Sequence, residues 1–166
     1  MKALLVLITL TFIASPAQAG GWGILGGMNT TQASNDNPPP LSEDFDWALG
    51  FQFGAHYSHR FERFRVRVLG QIRTQRAKTN LPQGSFQVYS LQFSLPILFE
   101  QMFTRRFGYF IGPDFATSLK TELQRFSVRM PLEYNNFVTS AMGGFTYKLT
   151  RKLYVNLYFN QGLTEI

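Results

Sequence analysis

The most constraining feature of this chain is a long segment, residues 45–57, in which apolar and polar side chains alternate. The first set is Phe45, Trp47, Leu49, Phe51, Phe53, Ala55 and Tyr57, and the second is Asp46, Ala48, Gly50, Gln52, Gly54 and His56. Because successive side chains of a β-strand point to opposite sides, this pattern predicts a strand with one apolar face. Strands of soluble sandwiches usually have about five or six residues, whereas about ten tilted residues cross a bilayer. The length and the aromatic content therefore favour a transmembrane β-strand.

The amino terminus has the features of a secretory signal peptide. Lys2 precedes the uncharged segment 3–13, and small residues surround the expected cleavage position after Ala19. A transmembrane anchor is disfavoured, since the apolar segment is shorter than the roughly 18 residues that such a helix needs. The chain has no Cys, which excludes lipid attachment through cysteine and a disulfide framework. We therefore predict a signal peptide over residues 1–19 and an exported domain over residues 20–166.

Seven strands are predicted in the exported domain, and no segment has a convincing helical pattern. They lie at 21–28, 45–57, 63–74, 86–99, 107–117, 137–148 and 153–163. The connections alternate between long (29–44, 75–85 and 118–136) and short (58–62, 100–106 and 149–152). Long loops at one end and tight turns at the other are typical of an outer-membrane β-barrel. The predicted fold is an all-β, antiparallel, up-and-down transmembrane barrel.

Four segments resemble the small outer-membrane β-barrel family that includes the PorT-like proteins. They are residues 23–29, 90–99, 108–113 and 158–166, and they occur in the family's order. The resemblance implies an eight-stranded barrel with an envelope role, and in that family such roles include secretion and gliding. The chain departs from the family pattern because no final strand follows Ile166, so we expect a missing eighth strand of about ten residues.

The predicted inner face carries a basic ladder. The residues expected in this polar network are Arg63, Arg65, Arg67, Arg73, Gln92 and Asp114, with further help from Asp46 and Glu100. Arg guanidinium groups bind carboxylates in paired geometry, and Asp114 is the expected partner of the ladder. The excess of positive charge leaves open an anion-selective passage, although the interior of an eight-stranded barrel is just wide enough for its own side chains.

The side chains that alternate with the inner-face residues point to the other side of each strand, and this outer face is predicted to contact lipid. Its members are Leu49, Phe51, Phe53, Leu91, Phe93, Leu95, Val155 and Leu157. Aromatic residues near strand ends, among them Tyr57, Tyr109 and Tyr147, fit the interfacial girdles of such barrels.

His56, Ser58 and His59 raise the alternative of a lipid-modifying enzyme, since a neutral imidazole takes a hydroxyl proton in such sites. His56 and Ser58 share a face, His59 does not, and no orienting carboxylate is apparent. No catalytic, metal-binding or cofactor-binding residues are predicted, and no cofactor is expected.

The predicted function is an envelope-structural or loop-mediated binding role in the bacterial outer membrane, with an unidentified ligand. Without residues 1–19 the net charge is +5, which suits anionic headgroups. The expected partners are outer-membrane lipid, lipopolysaccharide and other envelope proteins that contact the long loops. Nucleic acid is not expected, because no recognition motif accompanies the charge. A narrow channel or transporter, a lipid-modifying enzyme and a soluble lipocalin-like carrier stay as alternatives.

Overall fold

A computed structural model describes residues 3–14, 20–35, 48–81, 84–125, 128–132, 137–150 and 152–162. These residues are all β, and none of them forms a helix. The strands are β1 (Ala3–Ala14), β2 (Gly20–Asn35), β3 (Ala48–Arg60), β4 (Arg65–Leu81), β5 (Gly84–Met102), β6 (Phe107–Arg125), β7 (Val128–Leu132), β8 (Phe137–Lys148) and β9 (Leu153–Gly162). In the part of the chain that the structure describes, no helix is long and apolar enough to span a membrane.

The strands form one antiparallel sheet that closes on itself. Each strand from β1 to β6 pairs with the next, β6 pairs with β8, β8 with β9, and β9 returns to β1. The short β7 extends β6 beyond its pairing with β8. The fold is therefore an up-and-down β-barrel with eight strands in the ring, as the alternating sequence pattern predicts.

The ring is closed by residues that the sequence analysis assigns to a signal peptide. Strand β1 pairs with β2 from Ala3↔Asn35 to Ala14↔Ile24 and with β9 from Val6↔Gln161 to Ala14↔Leu153. The sequence analysis expected seven visible strands and an eighth beyond Ile166; here residues 3–14 occupy the eighth position. An apolar segment that pairs on both sides satisfies the backbone groups of two strands that would otherwise be edges. Cleavage after Ala19 stays a prediction.

Two connections that the sequence analysis interpreted as long loops are mostly strand. Residues 75–85 form the ends of β4 and β5, which pair as far as Leu81↔Gly84. Residues 118–136 include the end of β6 and all of β7, which pair as far as Arg125↔Val128. The sequence analysis predicted loops because these segments are polar. Strands that continue beyond the barrel lose the alternation of apolar and polar side chains, so their composition resembles that of a loop. In the remaining predicted loop, 29–44, β2 continues to Asn35, and residues 36–44 lie outside the described residues.

The short connections define one end of the barrel, which we call the turn end. They are the described parts of 61–64, 103–106 and 149–152. We call the opposite end of the barrel the loop end. Two of these turns have the same pattern of hydrogen bonds between a threonine side chain and the backbone. The Thr104 Oγ1 atom accepts hydrogen bonds from the backbone N–H groups of Arg106 and Phe107, and Thr150 Oγ1 accepts them from Lys152 and Leu153. Each threonine therefore compensates donors that a tight turn leaves unpaired.

Close approach between strands requires glycine at inner positions. A Cβ atom added to Gly54 would collide with the carbonyl oxygen of Gly70 and with Gln71, whereas one added to Gly26 would meet nothing within 4 Å. Side chains absent from the inner face let neighbouring strands bend sharply toward each other. Gly54 therefore contributes to the small radius of the barrel.

Candidate functional site

In the part of the chain that the structure describes, the lumen contains two buried ion pairs, and the deeper one is centred on Asp114. The Asp114 side chain is 0% exposed, and its Oδ2 atom lies 2.9 Å from Arg73 Nη1. Ser94 Oγ donates to Asp114 Oδ1 at 2.5 Å, and Asn160 Nδ2 donates to Oδ2 at 2.6 Å. Ser140 Oγ adds a longer contact of 3.4 Å to Oδ2. These residues belong to β4, β5, β6, β8 and β9, so one carboxylate crosslinks five strands.

The structure brings three of the predicted network residues into direct contact. Besides its pair with Asp114, Arg73 donates from Nε to Gln92 Oε1 at 3.1 Å. The sequence analysis paired Asp114 with the ladder as a whole, but within the described residues Arg73 is the only arginine that contacts it. Arg73 therefore connects Asp114 to Gln92 on the intervening strand.

The second ion pair lies nearer the turn end and is centred on Glu100. The Glu100 carboxylate accepts a hydrogen bond from Arg67 and lies 3.7 Å from Arg65 Nη1. Glu100 was placed in a turn by the sequence analysis, yet it belongs to β5 and is 1% exposed. Its parity is that of Gln92 and Ser94, which agrees with its place in the sequence analysis as a further member of the polar network. Arg65 and Arg67 thus have a different partner from Arg73.

Arg63 is not part of the ladder. The prediction was wrong because β4 begins at Arg65, two residues later than expected. Phe61 N donates to Phe64 O at 2.8 Å, and the Phe61 and Phe64 rings stack with centroids 4.7 Å apart. This turn holds Arg63 outside the strand, where it is exposed at the turn end.

A layer of mainly apolar and aromatic side chains, which also contains the buried Gln71, lies between the two ion pairs. On β5, Leu98 lies between Glu100 and Ser94, and on β4, Leu69 lies between Arg67 and Arg73. The buried cluster comprises Ile13, Leu25, Leu69, Leu98, Phe110, Met142, Tyr154 and Tyr158. Side chains therefore fill the lumen between the charges, as the interior diameter of an eight-stranded barrel requires.

All the residues predicted to contact lipid lie on the outer face. Their side chains alternate with buried ones along β3, β5 and β9, and Phe53 is 64% exposed. Leu91 and Val155 are only partly exposed. The outer face of the barrel thus carries many large apolar side chains, while Arg67, Arg73, Glu100 and Asp114 are buried in the lumen.

Aromatic side chains cluster on the outer face toward the turn end. Contacting pairs are Trp22–Tyr57, Phe61–Phe64, Phe64–Phe99, Phe103–Phe107, Phe103–Tyr109, Phe107–Phe145 and Phe107–Tyr147. Trp47 and Phe45 lie outside the described residues.

The histidines and Ser58 do not form a catalytic group in the described part of the chain. His56 is buried, and its Nδ1 atom has no hydrogen-bond partner among the described residues. Ser58 Oγ donates instead to the Gly21 carbonyl at 3.5 Å. His59 packs its ring edge-on against Phe61 at 4.8 Å. The proton acceptor and hydroxyl that a hydrolase needs are therefore not joined.

A cavity of about 260 Å³ opens at the turn end of the lumen, and the sequence analysis did not identify it. Its lining is strongly basic: Arg60, Glu62, Arg63, Phe64, Arg65, Glu100, Met102, Thr104, Arg105, Lys148 and Tyr154. We call this cavity the basic mouth. The cations come from two turns and three strands, so only the closed barrel brings them together.

Searches of the described residues found no group of three His, Asp or Glu side chains that could hold a metal ion. No protein-family model matches the chain, and no curated protein matches it.

Proposed function

We propose that this protein is a non-conducting outer-membrane β-barrel with an envelope-structural or binding role. One observation carries the proposal: large apolar side chains cover the outside of the barrel, while Arg67, Arg73, Glu100 and Asp114 are buried within it. A soluble barrel of the lipocalin kind has the reverse polarity, with an apolar interior and a polar surface. This arrangement gives the folded barrel a lower free energy in a lipid bilayer than in water, because the outer apolar side chains then contact lipid.

The aromatic clusters on the outer face support the same proposal. Tyr and Trp rings prefer the headgroup region, where an apolar ring and a polar atom are both accommodated. The turn end would then lie at the periplasmic interface and the loop end outside the cell. Export would use the signal peptide predicted over residues 1–19, and its cleavage after Ala19 would remove β1 from the ring, so that another strand would have to pair with β2 and β9.

The packed lumen favours a structural or binding role over a channel. An ion on the barrel axis would have to pass the apolar layer that includes Leu69, Leu98 and Phe110, where it would lose its hydration. The hydrogen bond of Ser58 to the Gly21 carbonyl, and not to His56, likewise gives no support to a lipid-modifying enzyme. The resemblance to PorT-like proteins suggests a partner among envelope proteins, but this inference is by analogy of fold.

Fractionation of cells that express the full chain tests the proposal. We expect the protein in the outer-membrane fraction, with faster migration on a detergent gel before boiling than after it. Recovery in a periplasmic extract without detergent would contradict membrane insertion. Discrete conductance steps in a planar bilayer would favour the channel, and a changed mass of lipid A would favour the enzyme.

A further inference from the structure

We propose that the basic mouth is a binding site for a phosphate-bearing anion, namely a phosphomonoester or diphosphate group. The site shares Arg65 and Glu100 with the second ion pair, and its other cations belong to neither of the two ion pairs in the lumen. Five cationic and two anionic side chains line it, which gives the lining a net charge of +3. A closed set of structural ion pairs would not require this excess.

The acidic residues of the lining do not neutralise the rim. Glu100 is already engaged by Arg67 and Arg65 at the floor of the cavity. Across the part of the chain that the structure describes, no carboxylate lies within 4.0 Å of the charged group of Arg63, Arg105 or Lys148. Three cations therefore face a small concave space with their hydrogen-bond donors available.

The floor of the mouth is preorganised by Tyr154. Arg65 Cζ and Lys148 Nζ each lie 5.7 Å from the centre of the Tyr154 ring, close enough for cation–π attraction. Tyr154 is 6% exposed and belongs to the buried cluster, so packing restricts the motion of its ring. Two cations are thus positioned before any anion arrives, which reduces the entropy lost on binding.

Phosphate chemistry fits this geometry better than a carboxylate does. Arg guanidinium groups donate pairs of parallel hydrogen bonds to phosphate oxygens, and a group with two negative charges best offsets the excess. A cavity of 260 Å³ holds a phosphate or a diphosphate, but not a folded macromolecule. The same chemistry occurs in soluble phosphates and in lipid headgroups, so the experiment must separate these two sources.

The test uses the full chain folded into zwitterionic nanodiscs. Calorimetry with inorganic pyrophosphate measures the soluble source, and selective retention of phosphatidic acid from mixed-lipid nanodiscs measures the lipid source. With the probe that binds, the double variant Arg63→Gln/Arg105→Gln should weaken binding by roughly 100-fold, because each of the two lost charge-assisted bonds contributes about tenfold.

Arg106→Gln is the matched control, since Arg106 follows Arg105 in the same turn but does not line the cavity. Its binding should stay within about twofold of the parent protein, because exposed charges are largely screened by salt. Tyr154→Leu tests the floor and should weaken binding without any change of formal charge.

Binding of pyrophosphate that is lost in the double variant assigns the site to soluble phosphates. Retention of phosphatidic acid that is lost in the same variant assigns it to lipid headgroups. Failure of both probes to bind overturns the proposal, and so does an equal loss in Arg106→Gln, which would indicate only a diffuse positive field. Heat-modifiable migration of every variant monitors folding separately, so failure of the barrel proposal would not be mistaken for loss of the anion site.

Discussion

Arg73 of β4 binds Asp114 of β6 across the whole width of β5, with 2.9 Å between Nη1 and Oδ2. The two residues are 41 positions apart in the chain, and neither belongs to a strand that pairs with the other's. Two strand spacings amount to about 9.6 Å, so the contact needs an extended arginine and a strongly curved sheet. Buried charges are tolerated because each is paired and hydrogen-bonded.

Asp114→Asn should destabilise the barrel by about 3 to 5 kcal/mol, because it leaves Arg73 buried without a counter-charge. Arg73→Gln in the same protein should restore part of this loss. Urea unfolding of the single and double variants in lipid vesicles measures the coupling energy.

Arg67→Gln is the matched comparison in this cycle, since Arg67 contacts Glu100 instead. The sequence analysis regarded Arg67 as a candidate partner of Asp114, but the geometry assigns the coupling to Arg73. Strict additivity of Asp114→Asn with Arg73→Gln would refute the pair.

Phe51→Arg should cost about 2 to 4 kcal/mol if the outer face lies in lipid near mid-membrane. Phe51 is 52% exposed on that face. Phe51→Leu is the control, because it keeps an apolar side chain and should cost much less. The measurement is the free energy of folding into vesicles, and equal losses for the two variants would argue against lipid contact.

The neighbouring Gln52, which lies on the opposite face of β3, is a poor control for that experiment. Gln52 is 3% exposed, and its Oε1 atom accepts a hydrogen bond from Tyr158 at 2.7 Å. An arginine here would overfill the lumen and remove this bond, so we expect clear destabilisation.

Gly54→Ala should lower stability by about 1 to 3 kcal/mol, because the added methyl group would press on the Gly70 carbonyl and on Gln71. Gly26→Ala makes the same chemical change where the added group meets nothing within 4 Å. Thermal or urea unfolding of both variants compares them directly. A larger loss for Gly26→Ala would contradict the observed packing of β2 and β3.

Protease added to intact cells should cut the loop end before the turn end, if the loop end is extracellular. Trypsin has targets at the loop end in Arg125 and Arg129, and at the turn end in Arg105 and Lys152. Mass spectrometry of the fragments identifies the order of cleavage. If the turn end is cleaved first, the turn end faces the outside of the cell and the proposed topology is wrong.

A disulfide should form between Ile13→Cys and Leu25→Cys in protein refolded from the full chain. These residues are direct cross-strand partners, and both are buried in the lumen. Pairing Ile13→Cys with Gly27→Cys, which is two positions out of register, should give much less crosslink. Equal yields, measured on a non-reducing gel, would indicate that β1 does not hold this register.

The sequence by itself determined the all-β fold and the faces of most strands. Alternation with a period of two depends only on neighbouring residues. It continues through 45–57 because one face of that strand carries apolar side chains and the other carries small or polar ones. The same reasoning correctly directs Phe51 outward and Asp114 inward, because parity is a local property.

Only the tertiary structure decided which charges meet, how far the hairpins extend and which segment closes the ring. The pairing of Arg73 with Asp114, and of Arg67 with Glu100, depends on barrel curvature and on side-chain reach across strands. The polar ends of β4 and β5 form strands through backbone pairing that leaves no apolar pattern. The basic mouth exists because closure brings together turns that are far apart in the chain, and no local pattern records such a distance.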